Sequence, residues 1–175
     1  MTVALLLASS RSAGNTRTLV DLAFPSGAHL FEDLHTLRVG YYSYENANAE
    51  DDFLPLVQRL MPHNTWVIAT PLYWYSMSAQ AKTFLDRLSD LLSLHKDQGR
   101  MLRGKRLAVL CSGTDPQAPK SFSEPFQLTC DYLGMKYLGT HYAQFQGLYP
   151  AQSTARLDAE SFARSVVHVS DRADP

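Results

Sequence analysis

VALLLASSRSAGNT, residues 3–16, decides how the rest of the chain is read. Its first six residues form an unbroken apolar run, which suits a strand buried on both faces of a parallel sheet; a half-exposed strand would alternate. The run stops at a small polar loop, Ser9 to Asn15, and Thr16 opens a segment with Leu19, Leu22 and Ala23 at helical spacing until Pro25 ends it. Strand, polar loop and helix make half of a βαβ unit, and the same order recurs along the chain.

A second short apolar stretch lies around His29 to Phe31, and an aperiodic polar and aromatic connection follows from Arg38 to Asp51. Asp52 is expected to cap a helix carrying Phe53, Leu56, Val57 and Leu60 on one face, with Pro55 at its third position, where no backbone N–H is needed. Thr65–Thr70 reads as the next buried strand. A longer helix should follow, with Ala81, Phe84, Leu85, Leu88 and Leu92 as its apolar stripe and Lys82, Asp86 and Arg87 largely off it. Arg106–Cys111 is a further strand, Ser123 with Pro125 starts a helix ending near Gly134, and Lys136–Ala143 is a last strand. A final helix is expected from Asp158, with Leu157 and Phe162 as a hydrophobic staple.

The βα unit thus recurs about five times, which predicts an open parallel sheet with helices on both faces. Such sheets bind ligands beyond the carboxyl ends of their strands, where the strand order reverses. Residues 1–175 read as one domain without repeats, low-complexity tracts or linkers. A composition of 45% hydrophobic and 11% aromatic residues excludes disorder, and a formal charge of −1 excludes a global field for nucleic acid or an anionic membrane. Any phosphate must be held locally. Cys111 and Cys130 form no disulfide framework, and no run approaches the ~18 apolar residues of a membrane span, so the expectation is a cytoplasmic protein.

The loops leaving strands one, three and four are the places to seek chemistry. The first offers hydroxyls, Arg11, Asn15 and Thr16 beside helix-start N–H groups, an anion site that needs no net charge. It contains neither GxxxxGK[ST] nor GxGxxG, which argues against a nucleoside triphosphate and a tightly held dinucleotide. The second, PLYWYSMS (71–78), sets aromatics after a buried strand, as a flat apolar ring would require. The third, CSGTD (111–115), supplies backbone amides and a glycine permitting close approach to a ring edge. No arginine stands six residues after Cys111, which excludes a cysteine phosphatase. Phosphate site plus aromatic shelf describes FMN.

SSRSAGNT (9–16), DDF (51–53), ATPLYWYSMSAQAKTFLDR (69–87), CSGTD (111–115), EPF (124–126) and YLGM (132–135) resemble the NAD(P)H-dependent FMN reductase family of flavodoxin-like proteins, over roughly four fifths of the chain. The resemblance implies a flavodoxin-like three-layer α/β sandwich with a five-stranded parallel sheet of order 2-1-3-4-5, holding FMN non-covalently. Ser9, Arg11, Asn15 and Thr16 would hold the phosphate; Pro71, Leu72, Tyr73, Trp74 and Ser76 would line the ring and ribityl chain; Ser112, Gly113 and Asp115 would approach the ring edge. NAD(P)H would supply the hydride, and a quinone, a nitro or azo compound, or free flavin would accept electrons. A homodimer is also implied, with Tyr41, Tyr42 and Tyr44 available at its interface. No side chain is assigned as acid or base, and no metal or iron–sulfur cluster is expected. A flavodoxin-type carrier and a non-catalytic flavin-binding protein stay open as alternatives. The basic residues Lys96, Arg100, Arg103, Lys105 and Arg106 read either as a solvated connector or as a site for the extra phosphate of NADPH.

Overall fold

Alternation along the buried strands decides which layer each side chain enters. The computed structural model describes residues 3–25, 27 and 29–171. In chain order it contains β1 (Ala4–Leu7), α1 (Asn15–Ala23), β2 (Leu30–Asp33), α2 (Phe53–Leu60), β3 (Thr65–Pro71), α3 (Ala79–Arg87), α4 (Asp90–Ser93) and α5 (Lys96–Arg100). These are followed by β4 (Arg106–Gly113), α6 (Glu124–Leu133), β5 (Lys136–Gln146), β6 (Tyr149–Pro150) and α7 (Ala155–Asp171). On one face of the sheet Leu6, Trp66, Ile68 and Val109 meet Leu56 and Leu60 of α2, Phe84 of α3 and Phe126 of α6. On the other, Leu5, Leu7, Val67 and Leu110 meet Leu19 and Val20 of α1 and Ala159 and Ala163 of α7. Both layers are made of buried apolar side chains, and truncating a large one such as Phe84 to alanine would cost about 3–5 kcal/mol.

The strand order is β2-β1-β3-β4-β5-β6. β1 to β5 are parallel, so the expected 2-1-3-4-5 order is present. A short sixth strand, β6, returns antiparallel along the end of β5 and is an addition to the expected sheet. Strand order reverses between β1 and β3, so the loops that leave those two strands diverge from a common crevice.

Local expectations at three helices are corrected or refined. Asp52 holds the N-cap position of α2 as expected, but its carboxylate makes no cap hydrogen bond: Asp51 Oδ1 accepts from the Phe53 N–H at 2.9 Å, while Asp52 Oδ2 accepts from the Arg38 N–H at 2.7 Å. The long helix breaks after Arg87 into tighter turns, with Leu88 N–H bonding Leu85 O and Ser89 N–H bonding Asp86 O, and Leu92 is left exposed. The break follows from Arg87, which lies off the apolar stripe yet is only 2% exposed and reaches forward to Asp90 Oδ2 at 2.7 Å. The last helix starts at Ala155, before Asp158, and Leu157 is exposed, so no staple forms with Phe162. α6 follows expectation, with Pro125 in its first turn and Gly134 closing it at φ 70°, a left-handed cap open to glycine.

Candidate functional site

Three loops meet above the carboxyl ends of β1, β3 and β4 and enclose a cleft of about 250 Å³. The first is tied down by Ser78, whose hydroxyl donates to Ala8 O at 2.6 Å while accepting the Ala81 N–H at 3.1 Å. One serine therefore caps α3 and fastens loop two to loop one. Its own N–H donates to Thr70 Oγ1 at 3.0 Å. Sequence reasoning assigned Ser78 no role, although a serine one residue ahead of a helix carries the capping signal.

Within loop one, Gly14 has φ 154° and ψ −168°, backbone angles essentially reserved for glycine. A Cβ there would lie 2.5 Å from Arg11 Nε, so the guanidinium packs directly over the glycine. α1 begins immediately afterwards without a side-chain cap, so its first N–H groups lack a side-chain partner where Asn15 and Thr16 line the cleft. Ser9 and Thr16 form the buried floor, where Thr16 Oγ1 and Ser112 Oγ share a hydrogen bond of 2.8 Å. Asn15 Nδ2 donates to Gly147 O at 2.9 Å, while its Oδ1 is buried without a protein donor.

Loop two makes a two-residue hairpin turn. Tyr73 and Ser76 exchange backbone hydrogen bonds of 2.9 and 3.0 Å, and the central residues Trp74 and Tyr75 both have positive φ, 48° and 66°. That is the type I′ pattern, which ordinarily selects Asn-Gly. Here it presents Trp74, 91% exposed, and Tyr75, 64% exposed. The Tyr73 and Ser10 hydroxyls share a 2.8 Å hydrogen bond that joins the turn's base to loop one.

Loop three is held from β5. Tyr142 Oη donates to Asp115 O at 2.7 Å and Gln144 Nε2 donates to Thr114 O at 2.9 Å. Burial, with the acidic surroundings of Cys111 and Asp115, pushes the Tyr142 hydroxyl up to about 12, so it remains a donor. Gly113 lines the cleft and is also required small by the protein itself: a Cβ there would sit 2.5 Å from Tyr142 Oη and 3.2 Å from Leu72 Cβ. Cys111 is buried, which raises its thiol pKa, and it serves as core.

Nine of the twelve expected residues line the cleft: Ser9, Arg11, Asn15, Thr16, Pro71, Leu72, Tyr73, Ser112 and Gly113. Thr114 is a tenth lining residue. Trp74 and Ser76 lie in the projecting turn and Asp115 on the outer loop, beyond the lining. A larger open recess of about 730 Å³ between α1 and α7 borders Phe24, His29 and Glu160 at the strands' amino ends, away from all three loops.

The basic run belongs to that opposite end as well. β4 rises about 23 Å from Arg106 to Gly113 at ~3.3 Å per residue, which separates the run from the cleft. Lys105 Nζ donates to Met61 O at 2.7 Å and His63 O at 3.0 Å, satisfying carbonyls after α2, and Arg106 is buried. Arg100 pairs with Asp97. Among the described residues, no helix is long and apolar enough to cross a membrane, and no group of three or more His, Cys, Asp or Glu is placed to hold a metal ion.

A parallel sheet of order 2-1-3-4-5, with a glycine-bent polar loop and an aromatic loop at its switch point, defines the flavodoxin-like class of α/β proteins. The sequence profile of the NADPH-dependent FMN reductase family matches residues 1–147, and the chain belongs to that family. It is accordingly an NAD(P)H-dependent FMN oxidoreductase. A relative from Bacillus subtilis, "Putative NAD(P)H-dependent FMN-containing oxidoreductase YwqN", is 26% identical over 98% of this chain and 99% of its own. The fold is shared with the Trp repressor binding protein from Bacillus subtilis, at a TM-score of 0.73 and 22% identity over 99% of this chain and 100% of that one. It is also shared with an NADPH-quinone reductase from P. pentosaceus, at a TM-score of 0.69 and 19% identity over 95% and 98%.

The cleft fits FMN on its own chemistry. Uncapped N–H groups and the Arg11 guanidinium suit a phosphate, and the unpartnered Asn15 Oδ1 suits a ligand hydroxyl. Leu72 and Tyr73 give the adjoining wall an apolar and aromatic surface.

Proposed function

We propose that the protein reduces a small, flat aromatic acceptor of the quinone type at the expense of NAD(P)H, with FMN held non-covalently in the cleft. The observation that carries this reading is the aromatic turn at the cleft's rim, where Trp74 and Tyr75 occupy backbone positions that favour Asn and Gly. Bulk kept at such positions and exposed to solvent supplies stacking area for a planar molecule. Ser9, Arg11, Asn15 and Thr16 hold the phosphate; Pro71, Leu72 and Tyr73 face the ring and ribityl chain; Ser112, Gly113 and Asp115 approach the ring edge. Trp74 and Tyr75 serve the acceptor, and Ser76 closes their turn. When bound, FMN supplies the hydride chemistry between nicotinamide and acceptor. The chain's task is to orient both partners and to place N–H donors where negative charge develops. Exposed Tyr41 and Tyr44 are offered to a second copy of the chain, which sedimentation would detect as a dimer.

The test is steady-state oxidation of NADH and NADPH by FMN-loaded protein with benzoquinone, an azo dye, a nitroaromatic compound or free FMN. The quinone should give the highest kcat/KM. Bound yellow flavin without turnover would overturn the reductase reading and leave a carrier or binding protein. Arg11→Ala should weaken FMN binding about tenfold or more, since a hydrogen bond to a charged group contributes ~1.5–3 kcal/mol. Unchanged affinity would remove Arg11 from the phosphate site.

A further inference from the structure

We propose that Gln144 and Tyr142 are positioning residues that aim the Asp115 N–H into the cleft and thereby set how strongly the protein favours reduced over oxidised FMN. The inference rests on the reading that the ring edge meets loop three. Gln144 and Tyr142 stand two residues apart on β5, so both side chains leave the same face of the strand. Each donates to a successive carbonyl of loop three: Gln144 Nε2 to Thr114 O at 2.9 Å, and Tyr142 Oη to Asp115 O at 2.7 Å.

A trans peptide is planar, so its C=O and the following N–H point in opposite directions. Holding the Thr114 carbonyl toward β5 therefore turns the Asp115 N–H away from β5. In the strand order, away from β5 is toward β3 and the cleft, which Thr114 lines. Residue 116 is proline and has no N–H, so the second held carbonyl fixes the loop without orienting another donor. Gly113 keeps this arrangement possible, because a side chain there would displace the Tyr142 hydroxyl. An N–H fixed in this direction before the ligand arrives stabilises the extra negative charge of a reduced flavin edge more than the neutral oxidised edge.

The experiment measures FMN dissociation constants anaerobically in the oxidised and dithionite-reduced states for wild type, Gln144→Met and Tyr142→Phe. In Gln144→Met the preference for reduced FMN should fall about tenfold, equivalent to a two-electron potential lower by ~30 mV. Tyr142→Phe should move it in the same direction. In protein without flavin, the Asp115 amide proton resonance should shift in Gln144→Met. An unchanged preference, or equal weakening of both redox states, would assign these side chains a merely structural role and overturn the proposal. If Gln144→Met fails to fold, Tyr142→Phe decides. Wild type that binds FMN in neither state would refute the reading of the cleft itself, and this inference with it.

Discussion

Replacing Trp74-Tyr75 by Asn-Gly should stabilise the protein. For a residue with a Cβ, a left-handed backbone costs roughly 1–2 kcal/mol, and two such residues stand side by side at φ 48° and 66°. Asparagine tolerates this region and glycine has no penalty there, so about 2–3 kcal/mol of strain is relieved. Two losses oppose the gain. The new glycine adds roughly 0.5–1 kcal/mol of chain entropy to the unfolded state. Side-chain contacts are also given up, but Trp74 is 91% and Tyr75 64% exposed, so little packing goes with them. The net is about +1 to +2 kcal/mol, or roughly 2–8 °C in Tm for a domain of this size. Thermal melting of flavin-free protein measures it without interference from ligand binding. The same variant should lose quinone kcat/KM while FMN affinity changes little. A Tm that falls or stays constant would refute the strain argument, because the tyrosine and tryptophan would then be supplying contacts that compensate for their backbone.

Arg87→Met should be strongly destabilising. The guanidinium bonds Asp51 and Asp90 and the carbonyls of Gly40 and Asn48, and it stacks 4.7 Å from the Phe53 ring centroid. Removing it leaves two half-paired carboxylates in place and should cost about 3–5 kcal/mol by urea denaturation; a loss under ~1 kcal/mol would mean the connection 38–52 is held by other contacts. His141→Phe should do the opposite. His141 stacks on Phe162 of α7 with Nε2 buried and unpartnered, so a phenyl ring keeps the packing and removes an unsatisfied group at a gain of about 1 kcal/mol. Burial, partly opposed by Asp158, lowers the His141 pKa. As pH falls below ~6.5 the unfolded chain takes up its proton first, so stability declines toward the lower folded value. Wild type should lose stability through that window and His141→Phe should lose less, with His29, also lowered by burial, leaving a residual slope. Identical pH profiles would show that His141 is as readily protonated folded as unfolded.

The elements of the fold were legible where local signals agree with burial. Continuous apolar runs predicted β1, β3 and β4, and Pro125 and Gly134 predicted the two ends of α6. The failures share a cause: a side chain satisfied by something remote in sequence. Arg87 looked like a solvent-facing residue beside a helical stripe, and its burial depends on Asp51, 36 residues earlier. Asp52 stands at the N-cap position as its cap signal predicts, but Arg38 N–H engages its carboxylate, and Asp51 supplies the side-chain bond to the first helical N–H. No periodicity within a helix encodes such a competition. β6 was missed because two residues closing a hairpin at Gly147 leave too short a pattern to read.

The site divides along the same line. Residues that project from the ends of buried strands, such as Ser9, Tyr73 and Ser112, were legible as cleft-lining candidates because the strand fixes where they must emerge. Residues that hold those loops in shape come from elsewhere: Ser78 reaches back 70 residues to Ala8, and Tyr142 and Gln144 reach 27 and 30 residues to loop three. Charge follows a parallel logic. Arg11 is the one charged side chain among the described residues lining the cleft, whereas Lys105, Arg106 and Arg87 are buried in the scaffold. An anion site proposed for a chain of net charge −1 needs no global field, because it would draw on N–H groups and one guanidinium held locally. Binding strength in such a cleft depends on how rigidly the donors are held, which makes the remote side chains of β5 part of the site's chemistry.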